Sequence, residues 1–336
     1  MKVLSLFSGV GGFDMGLENA GMETVFQCEW DKHANSILYK HWPDVPKWDD
    51  VSTLTGKHIL AHAPVVDVVA WGSPCQDLSV AGKRAGLEGG RSSLFHEGIR
   101  IIKELQEETN GQYPRISIWE NVVGALNSNG GADFGIILNE MAEAGAVAIE
   151  WSVLDAQYFG IPQRRRRVFV IAIFDPVLAN RCPNPLLPVS ESQNRDIEKG
   201  NEERQSSTRT LAFDTQFGSN ANVTEDVAPT LKSSQQSPSV AFQYDGYNQT
   251  VNDSDVSTTI RIGRDSSDFI AQPTEPTMAV RRLTPLECER LMGWPDNHTL
   301  TKADGTTQAD THRYKQCGNG VASPVAQWIA KHILAI

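Results

Sequence analysis

The chain has 336 residues, 40% of them hydrophobic and 21% charged, with a formal net charge of -11. It is long enough for a full core and for two domains, and its composition excludes a disordered or fibrous class. No apolar run reaches the roughly 20 residues of a membrane helix, and five cysteines without a CxxC spacing argue against a disulfide framework or a metal site. A reduced, cytoplasmic, metal-free protein is expected.

Apolar runs at 3–7, 24–28, 65–71, 116–119 and 168–174 read as buried strands. Phe95, Ile99, Ile102 and Leu105 recur at helical spacing between two of them, as do Phe134, Ile137, Leu138 and Met141 before the last. Strands alternating with helices predict an α/β domain with a doubly wound, mostly parallel sheet.

The first strand runs into Phe7-Ser8-Gly9-Val10-Gly11-Gly12-Phe13, a glycine-rich turn opening a helix, where backbone amides can approach a nucleotide-like ligand. Glu29 follows Gly9 by twenty residues, at the end of the second strand, where a carboxylate can hold ribose hydroxyls. The turn lacks the three-glycine spacing of a dinucleotide site, which disfavours NAD and favours a smaller adenosine ligand.

The third strand delivers Gly72-Ser73-Pro74-Cys75-Gln76-Asp77-Leu78-Ser79 to the carboxyl edge of the sheet, where ligands collect. Pro74 fixes one backbone angle directly before Cys75, so the thiol is aimed as well as exposed. The next strand ends in Glu120-Asn121-Val122 and places Glu120 at the same edge. A carboxyl beside a thiol opposes thiolate formation, and makes sense where it carries or shares a proton. Before the last strand stands Gln163-Arg164-Arg165-Arg166-Arg167, whose alternation sends Arg165 and Arg167 to one side and Arg164 and Arg166 to the other. Guanidinium forks suit phosphate and carbonyl oxygens.

After Pro176 the composition changes. Residues 186–280 carry seven Lys/Arg against fourteen Asp/Glu and are crowded with Ser, Thr, Asn and Gln. Short alternating pieces at 240–244 and 258–262 predict brief strands in an irregular, β-rich second domain, while 191–210 has the composition of a chain that does not pack alone. Ser323-Pro324 then opens a helix carrying Val325, Ala326, Trp328, Ile329 and Ile333.

Taken in order, these motifs resemble the cytosine-C5 DNA methyltransferases, together with Asp50-Val51, Arg282-Leu283-Thr284-Pro285 with Glu287 and Arg290, and Gly318-Asn319-Gly320-Val321. The resemblance covers both ends of the chain and leaves about 176–280 unmatched. It implies a class I methyltransferase sheet over 1–184, a smaller target-recognition domain with a hinge over 185–312, and a segment, 313–336, returning to the first domain. It assigns S-adenosylmethionine to Phe7, Gly9, Val10, Gly11, Glu29, Trp30, Asp50, Val51, Gly72, Pro74, Leu94 and Asn319. Glu29 would hold the ribose and Asp50 the adenine amino group, with Asp49 as the neighbouring alternative. Catalysis falls to Cys75, which would add to C6 of cytosine, to Glu120 at N3 and the amino group, and to Arg165 and Arg167 at O2 and the adjoining phosphate. Gln76, Ser79, Asn121, Val122, Gln163 and Arg282 would support that geometry.

The implied partner is double-stranded DNA bound by a single protomer of bacterial or phage type, with a cognate restriction endonuclease as a candidate second partner. One branch of the family acts on tRNA. It typically carries a Cys-Phe-Thr tripeptide, absent here, and lacks so long an insertion before Arg282. A catalytically inactive DNA-binding member is the remaining alternative, and the presence of both Cys75 and Glu120 speaks against it. The recognition sequence and the base that removes the C5 proton are not legible.

Overall fold

The structure, a computed structural model, describes residues 1–74, 93–183, 185–188, 211–213, 223–225, 239–244 and 277–336. Cys75, Gln76 and Ser79 lie outside the described residues, as do the strand expected at 258–262 and the 191–210 stretch.

The first half runs β1 (Lys2–Leu6), α1 (Gly12–Asn19), β2 (Glu23–Cys28), α2 (Lys32–His41), β3 (Lys47–Trp48), α3 (Gly56–His62), β4 (Val68–Trp71), α4 (Ser93–Glu108) and β5 (Ile116–Val122). It continues with α5 (Ala132–Glu143), β6 (Ala148–Asp155), β7 (Arg166–Ile173) and α6 (Pro176–Arg181). The seven strands form one sheet in the order β3-β2-β1-β4-β5-β7-β6. β1, β2, β3, β4 and β5 are parallel, and β7 runs antiparallel to both β5 and β6. This is the doubly wound, mostly parallel sheet expected. Two strands were not: β3 is too short to show a period, and β6 mixes Glu150, Trp151 and Ser152 at a sheet edge where neither face is fully buried.

Strand alternation divides the core in two. Val3, Val68, Ala70, Ile116, Ile118, Phe169 and Ile171 face one way and meet Phe13 and Leu17 of α1. Leu4, Leu6, Val69, Trp71, Trp119, Val168 and Val170 face the other way, against Ile59 of α3, Ile99 and Ile102 of α4, and Ile137 and Met141 of α5. The first face is completed from the far end of the chain by α7 (Pro285–Leu291), α8 (Asp310–Asn319) and α9 (Ser323–Leu334). Thr284 caps α7 with Glu287 in a reciprocal capping box and Pro285 occupies the first turn, as the sequence pattern requires. Pro324 opens α9 in the same way.

Between these halves β8 (Leu211–Phe213), β9 (Val223–Glu225), β10 (Ser239–Tyr244) and β11 (Thr277–Arg282) form a second, antiparallel sheet in the order β11-β10-β8-β9. Among the described residues no helix is long and apolar enough to cross a membrane.

Candidate active site

The parallel strands β1, β2, β4 and β5 end at one edge of the sheet, and the motif residues described there follow those ends. Phe7 leaves β1 at φ 53°, and Gly9 (φ 57°) and Gly11 (φ 86°) continue in the left-handed region. Only glycine adopts that region freely, which is why this turn needs them. The Gly9 amide donates to Glu29 Oε2 at 2.7 Å, and the Asp31 amide donates to Oε1 of the same carboxylate at 2.7 Å. Burial raises the pKa of Glu29, and the two amide bonds oppose it. Beside it the indole of Trp30 is 75% exposed, and a Cβ built on Gly9 would meet nothing within 4 Å. The loop amide is thus committed to a carboxylate rather than left for a phosphate. A desolvated carboxylate, an uncovered indole and open space above a glycine turn fit a nucleoside with its ribose on Glu29.

Around the other side, Val51 is buried and its carbonyl accepts from Arg100 Nη2 of α4 at 2.8 Å. Asp50 Oδ1 accepts from the amide and hydroxyl of Ser52, whereas Asp49 Oδ1 accepts from Asn35 Nδ2 at 2.8 Å. Leu94 lies half-buried in the first turn of α4. Arg100, flanked by Glu97 and Glu104, was not singled out from sequence, although carboxylates three before and four after an arginine mark one helical face.

Ser73 and Pro74 run from β4 toward Cys75, and β5 holds them. Trp119 Nε1 donates to Ser73 Oγ at 3.2 Å, and Asn121 Nδ2 donates to the Ser73 carbonyl at 3.4 Å. Val122 closes the local turn by donating its amide to Asn121 Oδ1. Glu120 is 9% exposed, and a Cβ on Gly72 would stand 3.3 Å from its Oε2, so the carboxyl lies against the backbone leading to Cys75. Arg167 Nε pairs with Glu120 Oε1 at 3.1 Å. Burial nevertheless dominates and raises the pKa of Glu120, with Arg167 and Arg165 pulling the other way. A carboxyl so placed keeps its proton to higher pH than an exposed one.

The arginine run alternates as expected: Arg164 and Arg166 are exposed, Arg165 is buried and Arg167 is half-buried. Arg165 donates from Nη2 to the carbonyls of Gly318 (3.0 Å) and Gly320 (2.6 Å), so part of its guanidinium holds the C-terminal end of α8. Gln163 donates to the Leu291 carbonyl at 2.9 Å and ties the same segment to α7. Asn319 is exposed at the end of α8, and Arg282 lies at the surface at the end of β11. Neither makes a described contact with Glu29 or Glu120.

Two further groups emerge from the structure alone. Lys315 of α8 donates to Asp31 Oδ2 at 2.7 Å, and His312 stacks on His33 at 3.6 Å between ring centroids, so α8 grips the start of α2 next to Trp30. His298 reaches the Val10 carbonyl from the other end of the chain. No spacing signal announces either, because the partners stand hundreds of residues apart.

Of the described cysteines, Cys28, Cys288 and Cys317 are buried and Cys182 half-buried, and burial pushes every one of these thiols up, Cys288 to about 12. None is a ready nucleophile.

The doubly wound, mostly parallel sheet, with a glycine turn, the desolvated Glu29 and the Glu120–Arg167 pair at its carboxyl edge, is a class I methyltransferase fold. Residues 1–335 match the C-5 cytosine-specific DNA methylase family, and the chain belongs to it. It is similar to the type II methyltransferase M.HpaII of Haemophilus parainfluenzae, with 29% identity over 98% of this chain and 88% of the relative. A protein of Escherichia phage P1 named DNA N-6-adenine-methyltransferase is 25% identical over 98% of this chain, which spans only 60% of that protein's length. The solved structure of S. pombe Dnmt2 methyltransferase superposes with a TM-score of 0.58 at 18% identity, covering 100% of this chain and 99% of that one.

Proposed function

We propose that this chain transfers a methyl group from S-adenosylmethionine to C5 of a cytosine turned out of duplex DNA, through a covalent bond between Cys75 and C6. The observation that carries the proposal is Glu120, desolvated, paired with Arg167 and set against Gly72 in the segment that leads to Cys75. Glu29, Trp30 and the turn at 7–11 would hold the cofactor, with Asp50, Val51, Pro74, Leu94 and Asn319 around it. Bound there, the cofactor supplies an electrophilic methyl group on a sulfonium.

C5 of cytosine is a poor nucleophile until something adds at C6. The Cys75 sulfur forms a bond to C6, the ring electrons move toward C5 and N3, and Glu120 delivers its proton to N3. Burial raises the pKa of Glu120, which favours the protonated form that this step draws on. Arg167 would steady Glu120 and Arg165 the base, and Gln163 and Arg282 would support the segments that carry them. After methylation C5 would give its proton to a base, the C–H electrons would restore the C5–C6 double bond as the S–C6 bond breaks, Cys75 would depart as thiolate, and N3 would return its proton to Glu120. Turning the base out of the stack costs a few kcal/mol, regained in pocket contacts.

Sequence selection is assigned to the target-recognition part of 185–312, with its antiparallel sheet, and the hinge to the residues that return through α7, where Leu283, Cys288 and Leu291 join the first core. The recognition segment is acidic, so polar Gln and Asn rather than a basic coat would read the bases. Duplex DNA rather than tRNA is the substrate favoured by the family description and by the missing Cys-Phe-Thr tripeptide.

Duplex DNA carrying 5-fluorocytosine at the target tests the chemistry, since fluorine cannot leave as a proton. Wild-type protein with cofactor should form an adduct that survives denaturing electrophoresis, and Cys75→Ser should form none. Absence of adduct from a cofactor-loaded, DNA-bound wild type would refute the covalent step. Labelled-methyl transfer to tRNA but not DNA would refute the substrate.

A further inference from the structure

The turn at 7–11 is closed by one bond of its own, from the Gly11 amide to the Ser8 carbonyl at 2.9 Å, and takes the rest of its support from outside. Phe7 is a bulky residue in the left-handed region, with Gly9 and Gly11 left-handed after it, so the conformation persists only where the surroundings impose it. Within the first domain, the Ser8 amide and hydroxyl both donate to the Cys28 carbonyl, and the Gly9 amide donates to Glu29. The Val10 carbonyl has its partner in His298 Nε2 at 2.7 Å, across 288 residues of sequence.

His298 is 2% exposed. His41 stacks on its ring at 4.1 Å, Trp42 and Trp294 approach at 6.3 and 5.8 Å between ring centroids, and His41 Nε2 lies 2.9 Å from the His298 carbonyl. Trp42 also lies against Gly11, where a Cβ would fall 2.3 Å from the indole, and its Nε1 donates to Glu18 of α1. The ring is supported from behind as well. Thr299 donates its amide to Glu289 of α7 at 3.0 Å, and Arg313 of α8 pairs with the same carboxylate at 3.1 Å. Burial holds the imidazole neutral, with a pKa of about 4. A carbonyl can only accept, so the neutral ring carries its proton on Nε2.

We propose that His298 is a positioning residue for the cofactor: its Nε2–H, fixed by the aromatic cage and the α7–α8 block, sets the Val10 carbonyl and thereby the shape of the turn at 7–11. This rests on the reading of that turn as the S-adenosylmethionine site. The segment that follows the recognition domain thus reaches back and shapes the floor of the cofactor pocket. Loss of the donor leaves a buried carbonyl unsatisfied and lets the left-handed turn relax, so the effect falls on cofactor binding and not on the rate of the bound complex.

The test compares His298→Leu, His298→Gln and Glu29→Ala with wild type, by calorimetric titration with S-adenosylmethionine and by steady-state methylation of duplex DNA. Gln carries a donor nitrogen close to the place of Nε2, and Leu fills the cage without one. Leu should weaken cofactor binding and raise its KM about tenfold while kcat stays within about twofold. Gln should restore both to near wild type. Where the Leu variant melts too low to assay, His298→Asn, whose shorter amide stops short of Val10, replaces it with the same expectation. Wild-type cofactor affinity in His298→Leu, with weakened binding in Glu29→Ala, would overturn the inference and leave the cofactor site standing. Unchanged affinity in Glu29→Ala would instead overturn the site itself. A loss that Gln repairs no better than Leu, or one confined to kcat, would assign His298 to packing alone and overturn the positioning role.

Discussion

Glu29 and Glu120 are both desolvated carboxylates with raised pKa values, yet their surroundings give them different work. Glu29 accepts two backbone amides and stands beside the exposed Trp30, an arrangement for holding hydroxyl groups in place. Glu120 accepts no backbone amide in its described contacts and leans on Arg167 instead, so its charge state is free to respond to a base arriving beside it. Glu29→Ala is therefore expected to weaken S-adenosylmethionine binding at least about tenfold, through the loss of a charge-assisted hydrogen-bond pair, with a smaller change in the single-turnover rate at saturation. Glu120→Gln is expected to leave cofactor affinity within about twofold and to lower the single-turnover rate by about a hundredfold or more, the usual contribution of a positioned acid. Calorimetry and rapid-quench methylation separate the two. Matching defects in both variants would mean that the two carboxylates do not divide binding from chemistry.

At the level of elements, the most intimate helix pairing joins the two ends of the chain. Gly16 of α1 faces α9, where a Cβ would fall 2.4 Å from the Ser323 carbonyl and 2.6 Å from Ala326 Cβ, and Ser323 Oγ donates to the Gly12 carbonyl at 2.8 Å. These are backbone and short side-chain neighbours that cannot swing away. Gly16→Val should push the helices apart and cost roughly 2–3 kcal/mol, the usual range for overpacking, visible as a lowered midpoint in urea with an unchanged slope. A midpoint equal to wild type would show that α9 slides to make room. The C-terminal helix was legible in the Ser-Pro start and the apolar stripe beginning at Val325, and its return to the first domain was implied by the family resemblance, but the partner it returns to was not legible, since Gly16 carries no hydrophobic signal. The parallel strands were legible for the opposite reason: β4 and β5 are buried on both faces, β4 reading as an unbroken apolar run and β5 as a mostly apolar one. β6, at the edge, alternates too weakly to be found, and the antiparallel direction of β7 depends on its connection to β6 rather than on its own residues. The site divides in the same way. Glu29 and the glycine turn follow a strand and Glu120 stands near the end of one, so all three could be placed by chain order, whereas His298 and Lys315 act through contacts that no local period records.

Over the whole molecule, buried titratable groups of opposite kind pull stability in opposite directions between pH 6.5 and 4. Asp14 of α1 has no exposure and accepts from Ser5 Oγ (3.0 Å) and Gln27 Nε2 (2.8 Å), but burial outweighs both and raises its pKa from 3.8 to about 6. The folded state therefore binds this proton more tightly than the unfolded chain does. The stability this contributes is present in full below pH 3.8 and is lost as pH rises through 6, about 3 kcal/mol in all at 1.4 kcal/mol per pKa unit. His298 has the reverse sign. Its pKa falls from 6.5 to about 4, so the unfolded chain takes the proton first, and stability declines by about 3 kcal/mol as pH falls across that interval. The two slopes nearly cancel in the wild type. Asp14→Asn removes one of them while keeping the shape of the side chain, since the new amide can donate to Ser5 Oγ and its oxygen can still accept from Gln27. At pH 8 the variant should be more stable than wild type by up to about 3 kcal/mol, because a buried carboxylate no longer has to stay ionised. That advantage should shrink as pH falls through 6 and be gone near pH 4, leaving a variant whose stability drops more steeply toward acid than that of the wild type. Urea unfolding at pH 8, 6.5, 5 and 4 measures both curves. Parallel curves across this range would show that Asp14 does not titrate between the folded and unfolded states. Adding His298→Gln to Asp14→Asn should flatten the acid limb again, which identifies the imidazole as the source of the remaining slope.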